Sequence, residues 1–147
     1  MRKTAYIVIT LLILTTAMAV AARAQNSGRR HFVANIPFQF NAGDASLPAG
    51  EYTVTPISGA SDKTVVEVRM KQGKKGALLQ MGSIIDNIAD RTCLVFHRYG
   101  DKYFLAQAWI EGDSEGLNAP RSRSELATKK ELATRNVAME TIVLTSH

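Results

Sequence analysis

Two apolar runs around a Gly-Asp pair constrain this chain more than any other stretch. Cys93-Leu94-Val95-Phe96-His97-Arg98-Tyr99 precedes Gly100-Asp101, and Lys102 to Ile110 follows. Two residues of this type between alternating runs join antiparallel strands in a tight hairpin. The predicted register sets Arg98 opposite Tyr103, His97 opposite Phe104, Phe96 opposite Leu105 and Val95 opposite Ala106. Further from the turn it sets Leu94 opposite Gln107, Cys93 opposite Ala108 and Thr92 opposite Trp109. Apolar side chains fall on both faces, which suits strands covered on both sides rather than a hairpin with one wet face.

The rest of the chain from His31 onward repeats the two-residue period. Phe32, Ala34, Ile36, Phe38 and Phe40 occupy alternate positions, which predicts a half-buried strand. Pro37 lacks a ladder donor, so this strand belongs at an edge or carries a bulge. Asn41 to Asp44 reads as a turn, as does Leu47-Pro48-Ala49-Gly50. Strands are predicted over 51–55 and 64–70, with loop over 58–62. A polar turn over 71–76 leads into a strand at 77–81. The stretch 82–90 has no clear period, and 111–120 reads as an acidic loop. Ser122-Arg123-Ser124-Glu125 has capping-box spacing and opens a helix over 122–135. Glu125–Lys129 and Glu131–Arg135 are predicted i,i+4 pairs. Leu126 and Leu132 lie about 120° apart at 100° per residue, too far for a coiled-coil seam. A last strand covers 137–145. The expected fold is all-β and mainly antiparallel. It is a small sandwich or partly open barrel of about seven strands, with one helix in the C-terminal region.

The first 24 residues predict export. Arg2 and Lys3 precede an uncharged stretch from Thr4 to Ala22, and Ala22-Arg23-Ala24 ends it as a small-x-small site. Charged start, apolar middle and small-residue exit make a signal peptide. The expected organisation is a signal peptide at 1–24, a disordered start at 25–30 and one β-domain over 31–147. The expected location is the periplasm or the extracellular medium. A membrane enters only if the segment stays uncleaved, because 19 uncharged residues are close to the minimum that spans a bilayer. Arg2, Lys3 and Arg23 lie in this segment and no acid does, so its removal lowers the formal charge from +5 to +2. That balance gives no argument for nucleic acid as a partner.

Three strings, in order, carry a resemblance. They are Ile36-Pro37-Phe38-Gln39-Phe40, Leu47-Pro48-Ala49-Gly50-Glu51-Tyr52, and Leu94 to Asp101 followed by Tyr103-Phe104-Leu105. With them the chain resembles a family of small exported proteins of soil bacteria. The resemblance implies one exported domain over most of the processed chain, and it carries over no catalytic residue, cofactor or ligand.

Candidate chemistry is sparse. His97, Arg98, Tyr99 and Tyr103 gather near the hairpin tip and, with Trp109, form the expected binding residues; Arg98 can stack on Tyr103. Ordinary cross-strand pairing explains the same residues without a ligand. Cys93 and His97 are four residues apart on one strand, about 13 Å. That is beyond the ~3 Å reach of a nucleophile and its base, so Cys93 reads as a buried small hydrophobe. As the sole cysteine it forms no internal disulfide. Glu111, Asp113 and Glu115 copy the early spacing of a calcium loop, but its twelfth position is Ser122 instead of Glu. Lys71, Lys74 and Lys75, and the basic residues between Arg121 and Lys130, read as solvated surface. No metal-hydrolase spacing, phosphate loop or nucleophile elbow is present in the sequence. The expectation is therefore a non-enzymatic binding or envelope-interaction domain without cofactor or metal. Its partner would be a protein, a glycan or an envelope component, and its apolar hairpin faces suggest a homodimer. One alternative is a small barrel carrying an apolar ligand, lined by Phe32, Phe38, Phe40, Phe96 and Trp109. A second is an enzyme whose site is assembled from distant residues.

Overall fold

The computed structural model describes residues 31–60 and 63–146. The predicted signal segment at 1–24, the polar start at 25–30, positions 61–62 and His147 lie outside the described residues. Among the described residues ten strands and one helix follow in order. They are β1 (Phe32–Ile36), β2 (Phe40–Ala42), β3 (Ala45–Leu47), β4 (Gly50–Ala60), β5 (Lys63–Met70), β6 (Gly76–Ile85), β7 (Cys93–Tyr99), β8 (Lys102–Trp109), β9 (Glu115–Asn118), α1 (Arg123–Ala133) and β10 (Met139–Thr145).

The fold is all-β and mainly antiparallel, as expected, but with more strands than about seven. The predicted strand over 32–40 breaks at Pro37, and its end pairs with β3 as a small hairpin across Gly43. Pro37 cannot continue a ladder, and Gly43 supplies the positive φ the turn requires. The predicted stop at Pro56 is also corrected, and so is the predicted loop at 58–62 as far as Ala60, positions 61–62 lying outside the described residues. β4 runs on to Ala60, with a register shift between Pro56 and Ser58, so a bulge absorbs the proline. The unassigned 82–90 stretch begins as the end of β6, and the acidic loop contains β9, paired with β6 and β8.

These strands make one open sheet, in the order β1-β4-β5-β6-β9-β8, continued by β7 and then β10 on the other side of β8. The β2–β3 hairpin joins β8 beside β9, with β2 parallel to it at Asn41 and Phe104. The sheet curls until β1 approaches β10, yet these two ends exchange no ladder pair. Alternation explains the curl. Tyr52 and Val54, Val66 and Val68, and Leu79 and Met81 are the inward residues of β4, β5 and β6, and all are buried. They close on Ile36, Phe40, Leu94, Phe96 and Leu105 from the rest of the sheet. Phe96 sits among rings, edge-on to Phe38 at 5.3 Å and to Phe40 at 5.5 Å, and Phe40 meets Tyr52 at 5.2 Å.

The central hairpin keeps its predicted turn and register from Tyr99–Lys102 to Phe96–Leu105. Beyond that the register shifts by one. Val95 pairs with Gln107, Leu94 with Ala108 and Cys93 with Trp109, leaving Ala106 as the extra residue of a bulge. The regular register would drive the Gln107 amide inward beside Leu94, where an unpartnered polar group is costly. The extra residue restores the parity: Ala108 goes inward and Gln107 and Trp109 outward. Both hairpin faces are covered, as the sequence predicts. Leu94, Phe96, Leu105 and Ala108 face the core, while α1 lies against the outer side.

Candidate functional site

The outer face of β7 presents Val95, His97 and Tyr99, one every second residue. The helix covers it in an unusual way. Its two buried residues are Glu125 and Thr128, whereas Leu126 is exposed. Ser122 caps the helix by accepting the Glu125 backbone N–H at 3.1 Å. A capping box would send the Glu125 carboxylate back to the cap. Here it turns inward and is only 3% exposed. The predicted pairing with Lys129 is thereby replaced, whereas Arg135 does approach Glu131, at 3.9 Å.

Three side chains meet one oxygen of Glu125. His97 Nδ1 lies 2.7 Å from Oε1, Tyr99 donates its hydroxyl to it at 3.1 Å, and Arg121 Nε is 3.5 Å away. Burying a carboxylate without such partners would be costly. Tyr99 is pushed above the usual phenol range, first by burial and then by the charge and hydrogen bond of Glu125, with Arg121 opposing. The cluster therefore clasps α1 to the hairpin through charge-assisted hydrogen bonds rather than an apolar stripe.

The five residues expected to form a binding patch separate. His97 and Tyr99 enter the clasp. Arg98 and Tyr103 face the other way, with the Arg98 guanidinium 5.6 Å from the centre of the Tyr103 ring. Arg98 also donates to the Gly100 carbonyl at 2.8 Å and pairs with Glu140 at 3.1 Å. Tyr103 also stacks on Phe38, with ring centres 3.8 Å apart. Trp109 lies at the far end of the hairpin, on the outer face.

Trp109 has a different setting. Its indole crosses Gly116 of β9, and its Nε1 donates to Gln107 Oε1 at 3.0 Å. Beside it Cys93, Val95 and Val143 floor an open groove of about 380 Å³, walled by the loop from Asp86 to Arg91. Ile88 on this wall is 66% exposed and Val143 is 55% exposed. Cys93 is half-buried here rather than fully enclosed. Burial pushes its thiol up, partly offset by Arg91. Glu115, from the calcium-like spacing, is instead in β9 and accepts a hydrogen bond from Ser83 Oγ at 2.5 Å. Among the described residues no group of three or more His, Cys, Asp or Glu side chains could hold a metal ion.

Sequence reasoning missed Glu125 and Arg121 as partners of His97 and Tyr99. The alternation of His97 and Tyr99 was a signal that they share a face. Nothing local marked Glu125, because its capping spacing already accounted for it. The fold and its clasp define a curled, mainly antiparallel β-domain carrying one docked helix. The chain matches no family model, no curated protein and no solved structure.

Proposed function

We propose that this chain is an exported, non-enzymatic binding domain, and that the Trp109 groove is its contact surface. One observation carries the reading. The groove joins the buried Trp109 ring to exposed Ile88 and Val143, with Asp86, Asp90 and Arg91 around them. An apolar centre with a charged rim is the anatomy of a protein-contact surface. The groups that most resemble catalytic ones, His97, Tyr99 and Glu125, already serve to hold the helix. Of the aromatic residues expected to line a carrier's cavity, Phe38 and Phe40 both pack on Phe96, Phe32 packs on the same core, and Trp109 stands outside it. The amino-terminal segment and the resemblance to exported proteins of soil bacteria support delivery to the envelope or medium.

The test places a photo-crosslinking amino acid at Ile88, on the groove wall, and in a second strain at Lys74, in the remote β5–β6 turn. Cells are fractionated after illumination, and the intact mass reports whether cleavage occurs after Ala24. A discrete adduct from position 88 in the exported fraction supports the reading. Equal labelling from both positions, or protein retained in the cytoplasm, would sink it.

A further inference from the structure

We propose that β10 is the contact edge of a homodimer, in which two copies pair antiparallel about a two-fold axis through Val143. The proposal goes beyond the groove reading and does not depend on it. Among the described residues β10 pairs only with β7, so one row of its backbone groups is not used by the sheet. The register identifies that row. Ser146 N–H donates to the Thr92 carbonyl at 3.0 Å, continuing the β7–β10 register in which Met139 meets Tyr99 and Thr145 meets Cys93. In an antiparallel ladder hydrogen-bonded pairs alternate. Leu144, Ile142 and Glu140 therefore bond toward β7. Thr145, Val143, Thr141 and Met139 turn their N–H and C=O groups to the open edge.

Among the described residues that edge has little protection: β1 approaches β10 but forms no ladder with it. The edge strand has no proline and no lysine, and its single charged side chain, Glu140, is held by Arg98 at 3.1 Å. Natural sheets blunt an open edge with charge, proline or a cover, and the helix covers the outer face of β7 instead. The two core-facing residues of β10, Ile142 and Leu144, stay only half-buried at this margin.

Backbone groups in such a row specify another extended strand, and the side chains select a second copy in one register. With Val143 opposite its own counterpart, each Thr141 faces Thr145 of the other copy, and each Ile142 faces Leu144. Valine meets valine, threonine meets threonine, and the inner apolar pair continues the core. Such pairs are the favourable ones across strands. Glu140 then meets the Ser146 hydroxyl. Sliding the copies toward their Glu140 ends sets Glu140 successively against Leu144, Ile142 and the other Glu140, whereas sliding them the opposite way sets Val143 against Thr145 and Ile142 against Ser146. Charge on one side and like-with-like side-chain matching on the other thus favour the register centred on Val143. The two-fold makes the contact self-complementary and closed.

The experiment is sedimentation equilibrium of the purified, processed protein at about 100 µM, because a strand-edge interface is small and weak. The wild type is expected at twice the monomer mass and to dissociate on dilution. Val143→Asp sets two carboxylates on the axis, and Thr141→Pro deletes an outward donor while leaving the β7 ladder intact. Both are expected to sediment as monomers with a wild-type near-ultraviolet signal from Trp109. Should either fail to fold, Val143→Cys in a Cys93→Ser background gives a second reading. Directly opposed residues in a hydrogen-bonded pair have Cα atoms about 5.5 Å apart, within disulfide reach. Mild oxidation should then link the two copies, and Thr141→Cys in the same background should link far less. A monomeric wild type, a dimer surviving in the folded variants, or equal cross-linking at 141 and 143 would overturn the proposal.

Discussion

Trp109 lies so close to Gly116 that a Cβ added to the glycine would stand 2.5 Å from the indole ring. The absent side chain is what allows the ring to lie across β9 and floor the groove. Gly116→Ala is therefore expected to push the ring away or distort β9. Overpacking of this kind costs about 1–3 kcal/mol. A urea titration followed by Trp109 fluorescence would show a lower midpoint and a shifted emission. An unchanged midpoint and emission would mean that the two residues are not in contact.

The interior should be intolerant of truncation around Phe96. Its ring is fully buried and meets both Phe38 and Phe40 edge-on. Phe96→Ala is expected to lose about 3–5 kcal/mol, from lost transfer free energy and the cavity left behind. The only cysteine is free, so no disulfide offsets that loss. Chemical denaturation of the purified variant measures it directly. A loss below about 1 kcal/mol would mean that the ring cluster is loosely packed.

Glu125→Ala removes the common acceptor of His97 and Tyr99 and a partner of Arg121. Leaving a buried donor unsatisfied costs about 1–3 kcal/mol. The helix has no deep apolar stripe to hold it otherwise, so its amides should gain exchange much more than those of β5. Hydrogen exchange of Leu126 to Leu132 against Val66 and Val68 checks this. Uniform acceleration across both segments would point to global destabilisation instead of a released helix.

Three pKa shifts act in one direction. Tyr99 is raised by burial and by Glu125, Cys93 by burial against Arg91, and Tyr52 by burial. A group raised in the folded state binds its proton more tightly there than in the unfolded chain. Its contribution is complete below the unfolded value and is lost as pH rises through the folded one. Stability should therefore fall on the alkaline side, beginning as pH passes the ordinary values of 9.0 for the thiol and 10.0 for the phenols. Tyr99→Phe should flatten that decline, seen as a smaller drop in Tm between neutral and alkaline buffer. An identical drop in the variant would remove Tyr99 from the account.

Much of the fold can be read in the alternation of β4, β5, β6 and the central hairpin, because burial of one face imposes period two on the sequence. The turn at Gly100-Asp101 is equally legible, since few residue pairs suit so tight a reversal. What sequence could not show was parity. A bulge adds one residue without a local marker, and Ala106 is an ordinary strand residue. The Pro56 bulge was concealed differently: proline announced an end where the strand only bent. Glu125 illustrates a third limit. A residue with a satisfactory local explanation gives no sign that a strand 26 positions earlier has a stronger use for it.

The bulge also has an evolutionary consequence. Ala106 has no partner of its own in the β7–β8 register. Deleting it would leave Leu105 opposite Phe96 and Gln107 opposite Val95, so every paired residue would keep its present face. Adding a residue nearby would reverse the face of everything between the insertion and Trp109. The hairpin is thus asymmetric toward length change: it can shed a residue there and still keep its core, its clasp and its groove apart.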